Sequence, residues 1–374
     1  MSATADELLE TFLQLVGRPS PSGSERAVAD FILGYLRDAG LDPIEDDTAA
    51  ATGAGSGNIT VVVAGAGKGT PIVIGAHMDT VAVSGPVEPV VENGIVRSAG
   101  DTVLGADDKA ACTVLLALLR DLAQDPPRAC VTGLFTVSEE IGLLGAKALA
   151  LDSVEARAGF VFDSEGLPGT IVTSAHSLKK VKAEFHGVAA HAGIAPEQGR
   201  SAILAASRAI AAMPLGRIDD ETTANIGLIG GGAATNVVAE RCTIEGEARS
   251  RTDDKLAAQV GDMLAAITTA AAETGVDVTT SIEDDFHAFA LADGALPVRV
   301  ARAAADRAGF AVRIAASGGG SDVNVFNAKG LPSVNLGVGY KDIHSPAESM
   351  SLERLADTFR FAQALVRAAG EIPE

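Results

Sequence analysis

Short apolar runs that stop at a histidine or a carboxylate constrain this chain more than any other feature. Ile59 to Ala64, Ile72 to Ala76, Leu134 to Val137 and Gly159 to Phe162 lack the alternation of a half-wet strand, so they read as strands buried on both faces. The second runs into His77-Met78-Asp79, the third into Ser138-Glu139-Glu140 and the fourth into Asp163. A helical stretch, Asp108 to Leu122, lies between the second and third, which is the alternation of an α/β sheet. In an open parallel sheet the carboxyl ends of the strands line one crevice, where ligands bind. Asp107 stands just before the helix that returns from that edge, and His344 follows the apolar run Pro332 to Leu336. Two histidines and at least three carboxylates therefore converge.

Magnesium alone prefers oxygen ligands and water, whereas mixed imidazole and carboxylate ligation suits zinc, manganese or cobalt. One carboxylate can bridge two ions at the ~3.5 to 4 Å spacing of cocatalytic hydrolases. Any one of these acids alone reads as a helix cap or a surface charge, but their recurrence at successive strand ends favours a metal site.

The pattern changes after Ser174. Val181, Ala183 and Phe185 alternate with Lys180, Lys182 and Glu184, which marks a strand with one wet face. A helix (Ser201 to Met213), two strands (Thr222 to Ile229, Arg241 to Ser250), a helix (Asp253 to Glu273) and a strand (Val276 to Ile282) complete a β-α-β-β-α-β order of the ferredoxin-like type. Helices at Leu296 to Ala308 and Leu352 to Ala369 return to the first pattern. The expected organisation is one discontinuous α/β domain, 1–174 and 286–374, with a mostly parallel sheet and flanking helices, carrying an inserted α+β domain, 175–285. Two capping boxes, Thr4 with Glu7 and Ser22 with Glu25, predict two amphipathic helices at the start.

Composition removes several classes of partner. With 49 acidic against 29 basic residues the formal charge is -20, which repels phosphate backbones and anionic lipid, so neither nucleic acid nor a membrane is an expected partner. The apolar stretch Ala110 to Leu119 is about half of the ~20 residues that a membrane span needs. Asp6, Glu7 and Glu10 occupy positions where a secretory signal has basic and apolar residues, and the three cysteines never form C-x-x-C, which together predict a cytoplasmic protein with reduced thiols in its core.

His77-Met78-Asp79-Thr80, Gly105-Ala106-Asp107-Asp108-Lys109, Ser138-Glu139-Glu140 with Gly142, Phe162-Asp163, His191-Ala192-Gly193, Gly319-Gly320-Ser321-Asp322 and His344-Ser345-Pro346 resemble the successive motifs of the cocatalytic zinc aminopeptidase, carboxypeptidase and aminoacylase superfamily, in order and over nearly the whole chain. Within it, Leu-Gly-Ala-Asp-Asp-Lys and the overall length resemble the peptidase T branch. The resemblance implies two divalent metal ions, zinc first with manganese or cobalt as alternatives. It also implies Asp107 as bridging ligand, His77 and Asp163 completing one metal site, and Glu140 and His344 the other. Glu139 matches the general base, and Asp79 the acid that orients His77, since a metal-bound imidazole usually donates its other nitrogen to a carboxylate.

The implied activity is hydrolysis of small peptides by a tripeptide aminopeptidase, through a water bridging the metals and a glutamate base. A dipeptide or N-acyl-amino-acid hydrolase, or a carboxypeptidase, of the same superfamily is the alternative, and a non-catalytic dimeric homologue is a remote one. The inserted domain is implied to dimerise and to close as a lid, with His191, acting on the partner subunit's site, and Asn236 donating to the substrate. Arg249 suits a free substrate carboxylate, because guanidinium binds one bidentately.

Two further motifs take bland readings. Gly65 to Thr70 lacks the Ser or Thr of a phosphate loop and reads as a hairpin turn. Gly319 to Asp322 lacks the last glycine of a nucleophile elbow and reads as a tight backbone approach near the substrate.

Overall fold

The computed structural model describes residues 2–82, 85–151 and 154–372. They form two compact units, Met1–Thr173 with Ala290–Ser317 and Ser321–Glu374, and Ser174–Phe289 with Gly318–Gly320.

In the first unit the apolar runs become a mixed, mainly parallel sheet. Among the described residues, seven of its nine strands lie in the order Ile44–Glu45, Ile59–Val63, Val131–Thr136, Ile72–His77, Ala158–Ser164, Ser333–Gly337 and Thr170–Ala175. Ile72–His77 is parallel to both of its neighbours, and Ser333–Gly337 is parallel to Ala158–Ser164. Every residue of Ile72–His77 and Val131–Thr136 is buried, as central parallel strands covered on both faces require. Ile59–Val63 differs from expectation. It pairs antiparallel near the sheet edge and alternates, with Val62 exposed, because its outer face has no covering layer.

The helix Ala106–Gln124 is buried from Ala106 to Leu119, while Leu352–Glu371 brings Phe361 edge-on to Phe162 and Phe310 at 6.0 and 6.1 Å between ring centres. Among the described residues no helix is long and apolar enough to cross a membrane. Cys112 and Cys242 are buried and Cys130 is half-buried; all three are free thiols.

The Gly65 to Thr70 segment is not a hairpin turn. Val131–Thr136 lies between the two strands it joins, so the segment crosses over, and its amides bond elsewhere: Ala66 N–H to Pro127 O and Gly67 N–H to Arg128 O. Of the two predicted capping boxes, Thr4 with Glu7 forms, with Thr4 N–H donating to Glu7 at 2.8 Å. Ser22 with Glu25 does not. The helix begins at Arg26 with no side-chain cap, and both residues bond to distant parts of the unit.

The second unit has strands ordered Gly216–Arg217, Thr222–Gly231, Arg241–Ser250, Ser177–His186 and Asp277–Phe286, with antiparallel neighbours throughout. Val181, Ala183, Phe185 and Ile244 pack with Met263 and Ile267 of the helix Asp253–Thr274 and with alanines of the helix Ala202–Ala212. Lys180 and Lys182 take the opposite, wet face. This is the ferredoxin-like order read from the period-2 alternation.

Candidate metal centre

Parallel pairing puts strand ends on one edge. His77 closes its strand opposite Thr136, and the Asp163 backbone N–H donates to Asn335 Oδ1 at 3.0 Å across the parallel pair. Asp107 joins them from the first turn of the helix Ala106–Gln124, where the peptide bond to Asp108 is cis.

Asp107 is the hub. Its Oδ1 lies 3.3 Å from His77 Nε2 and its Oδ2 lies 3.2 Å from His344 Nε2. His344 Nε2 is also 3.1 Å from Glu140 Oε1. Atoms of His77, Asp107 and Glu140 all lie within 4.8 Å of one another, close enough to share one ion. His77 Nδ1 is 3.0 Å from the Asp79 carbonyl oxygen, which can only accept, so Nδ1 carries a proton and Nε2, which faces Asp107, is the nitrogen that would meet a metal.

Despite its nearness to His77, Asp107 Oδ1 has no hydrogen-bond donor, and neither do the buried Asp108 Oδ1 and Asp322 Oδ1. Buried carboxylate oxygens without donors are costly unless a cation serves them. The imidazole and carboxylate set fits a borderline-hard divalent ion such as zinc, manganese or cobalt.

Charge crowding shows in the proton affinities. Burial alone would push His77 down, but Asp107 and Asp79 outweigh it and hold the ring well above its usual range. His344 is raised to about 10 by Asp107 and Glu140. Burial would raise Asp107, yet the two histidines hold it below the usual carboxylate range. Glu139 and Asp163 are both pushed well up, Glu139 by burial and Asp163 by burial and then by the Asp107 charge. Asp163 is further served by Tyr340, whose hydroxyl donates to Oδ1 at 3.3 Å. Burial also raises Asp322, to about 6, although Thr136 donates to its Oδ2 at 2.6 Å.

Asp79 has a wider set of partners than the H-x-D spacing suggests. Its Oδ1 is 3.5 Å from His77 Nδ1, but its two oxygens accept the backbone N–H groups of Glu139 at 3.0 Å and Glu140 at 3.2 Å, and the Ser22 hydroxyl at 2.6 Å. Glu348, four residues beyond His344, received no role from sequence reasoning. It is buried, and its oxygens accept Gly105 N–H at 2.7 Å and Asp107 N–H at 2.9 Å, so it ties the Asp107 turn to the His344 loop. Gly105 sits at φ +75°, a backbone state that suits glycine. An acid closely following a predicted ligand was the only available signal for Glu348.

The remaining predicted residues belong to the second unit. His191 and Asn236 are both exposed and lie on adjoining segments, joined by Ala192 N–H donating to Asn236 O at 2.9 Å. Arg249 is already engaged. Glu247, two residues away and so on the same strand face, accepts from its Nε at 2.8 Å and its Nη2 at 3.2 Å, and Gly318 O accepts from Nη1 at 3.2 Å. In the Gly319 to Asp322 segment, Gly320 lies against the Phe286 ring, where an added Cβ would meet Cζ at 2.4 Å.

Comparison with known proteins agrees with this geometry. Residues 73–368 match the model for peptidase family M20/M25/M40. The crystal structure of the aminopeptidase PepT from Bacillus cereus is 39% identical with a TM-score of 0.88, covering 98% of this chain and 99% of that one. A tripeptidase (SAV1512) from Staphylococcus aureus is 34% identical with a TM-score of 0.94 over the whole of both chains. The uncharacterized protein YqjE of Bacillus subtilis is 42% identical over 97% of this chain and 98% of its own length. With the family model covering most of the chain and the strand-end residues gathered around Asp107, the chain belongs to peptidase family M20/M25/M40 and is a metallopeptidase.

Proposed function

We propose that the chain is a small-peptide aminopeptidase of the tripeptidase type, working with two divalent metal ions, zinc first. The observation that carries this reading is that the two oxygens of Asp107 face different histidines, His77 and His344. Asp107 would be shared between the two ions, and His77 with Asp163 and Glu140 with His344 would complete their ligand sets. The likeness to an aminopeptidase and a tripeptidase at 39% and 34% identity supports the choice of substrate class.

Bound metal supplies Lewis acidity and a water of lowered pKa. The protein's own part is proton handling and positioning. Glu139 follows the buried strand end with its proton affinity raised by burial, which suits a group that takes a proton from water and delivers it to the leaving amine. Asp79 holds the amides of Glu139 and Glu140, so the base and the ligand beside it keep separate directions. His191 and Asn236 are assigned as donors to the substrate, His191 from the partner subunit of a dimer formed through the second unit. Arg249 is assigned to the peptide's free carboxylate.

The test is product release from di-, tri- and tetrapeptides and N-acyl amino acids, using chelated enzyme reloaded with zinc, manganese or cobalt. Release of the N-terminal residue from free tripeptides is the expected result. Cleavage of N-blocked substrates with free tripeptides untouched would assign the chain to the deacylases instead.

A further inference from the structure

The turn that carries Glu139 and Glu140 is gripped from outside. Val137 N–H donates to Asn58 Oδ1 at 3.2 Å, and Asp79 accepts the amides of Glu139 and Glu140 at 3.0 and 3.2 Å. Ser138 has φ +51°, a left-handed state that a residue with a Cβ keeps only when its surroundings impose it. Its hydroxyl donates to Glu25 Oε1 at 2.9 Å. Glu25 is fully buried, and its other partners are the backbone N–H groups of Gly23 at 2.9 Å and Gly55 at 2.6 Å. Three residues before Glu25, Ser22 donates to Asp79 Oδ2 at 2.6 Å.

One short segment thus reaches the turn by two routes, Ser22 through Asp79 and Glu25 through Ser138. Both residue types are suited to cap the following helix, yet that helix has no side-chain cap. A carboxylate buried among neutral donors and taken from a local cap has been placed by what it holds.

We propose that Ser22 and Glu25 are positioning residues that set the directions of Glu139 and Glu140, an inference that rests on the roles proposed above for those two glutamates. Glu25 locks Ser138 in its left-handed state and so fixes where the chain leaves the strand. Ser22 orients the Asp79 carboxylate, and with it the two amides that follow.

The test is a double-mutant cycle of Glu25→Gln and Ser138→Ala, reading kcat, KM, metal affinity by titration of chelated protein, and the Tm of the chelated protein. Gln keeps the size of Glu25 but turns an NH2 group either toward Gly55 N–H or toward Gly23 N–H and the Ser138 hydroxyl, so the set of bonds that holds Ser138 cannot stay whole. Each single change is expected to lower kcat and weaken metal binding ~10-fold, as supporting groups around metal sites do, with KM little altered. The double variant should lose no more than either single one, because both break the same link.

Ser22→Ala removes only a hydroxyl and carries the test should Glu25→Gln not fold; it too should lower kcat with the Tm of chelated protein unchanged. A fall in Tm with wild-type kcat and metal affinity in the folded fraction, or fully additive losses in the cycle, would make Glu25 a packing residue and overturn the proposal. Wild-type protein that binds no metal and cleaves no peptide would instead overturn the function reading beneath it.

Discussion

Asp79 Oδ1 accepts the backbone N–H of Glu139 at 3.0 Å, and the same carboxylate takes the next amide, that of Glu140, at 3.2 Å. Asn at position 79 keeps one acceptor oxygen but turns an NH2 group toward an N–H. Asp79→Asn is therefore expected to lower kcat by ~10- to 100-fold, with a smaller loss of metal affinity through His77. Steady-state kinetics beside elemental analysis checks it, and an unchanged kcat would remove Asp79 from the support of the base.

Adjacent glutamates should separate by substitution. Glu139→Gln keeps shape and is expected to retain metal while losing ~10² to 10⁴ in rate, the range of general acid-base catalysis. Glu140→Gln should weaken metal binding first, since its carboxylate lies in the cluster with His77 and Asp107 and its Oε1 stands 3.1 Å from His344. Near wild-type turnover in Glu139→Gln would place the base elsewhere.

Metal removal gives a stability readout independent of activity. Ions that bind only the folded state stabilise it by mass action, ~2.7 kcal/mol at a hundred times Kd. The Tm of chelated protein should rise with added zinc, and this rise should shrink in His77→Ala, Asp107→Ala and His344→Ala. A Tm indifferent to metal in the wild type would count against a site in the folded state.

The strand-end residues were legible in the sequence because buried runs repeatedly lead into a histidine or a carboxylate, at His77, Glu139 and Asp163, and the second unit because its first strand alternates with period 2. Long-range partners were not legible. Ser22 and Glu25 have the spacing of a cap, and only folding brings Asp79, 57 residues away, and Ser138, 113 residues away, within reach as stronger partners. Gly65 to Thr70 reads as a hairpin until the Val131–Thr136 strand inserts between its flanks. The strand Thr170–Ala175 falls where the pattern changes, and Glu348 is marked only by its closeness to His344, since its partners are backbone amides 243 and 241 residues away.

Asp322 gives a pH prediction. Burial raises its folded-state value from 3.8 to about 6, so the folded chain holds this proton more tightly than the unfolded chain does. A raised acid costs stability once the unfolded form ionises. Below pH ~3 both states are protonated and there is no cost; it sets in around pH ~4 as the unfolded form ionises, grows up to pH ~6 and is complete above that, on the order of 1 to 3 kcal/mol. Asn keeps an oxygen for Thr136, so metal-free Asp322→Asn should match the wild type near pH 3 and exceed it in Tm at pH 8. Equal Tm values at pH 8 would show that Asp322 carries no such burden.

The Glu247 and Arg249 pair makes the last prediction. In the role proposed for Arg249, a substrate carboxylate would share or displace a glutamate that already binds the guanidinium at 2.8 and 3.2 Å. Both side chains are about one-third exposed, which keeps the pair weak enough to exchange in water. Removing the competing charge should then help the substrate: Glu247→Gln is expected to lower KM for peptides with a free carboxylate and to leave their amides unchanged. Arg249→Ala should raise KM for the acids only, and neither change should alter metal content. If Arg249→Ala treats acids and amides alike, the arginine serves Glu247 and Gly318 within its own unit, and the carboxylate is recognised by another group.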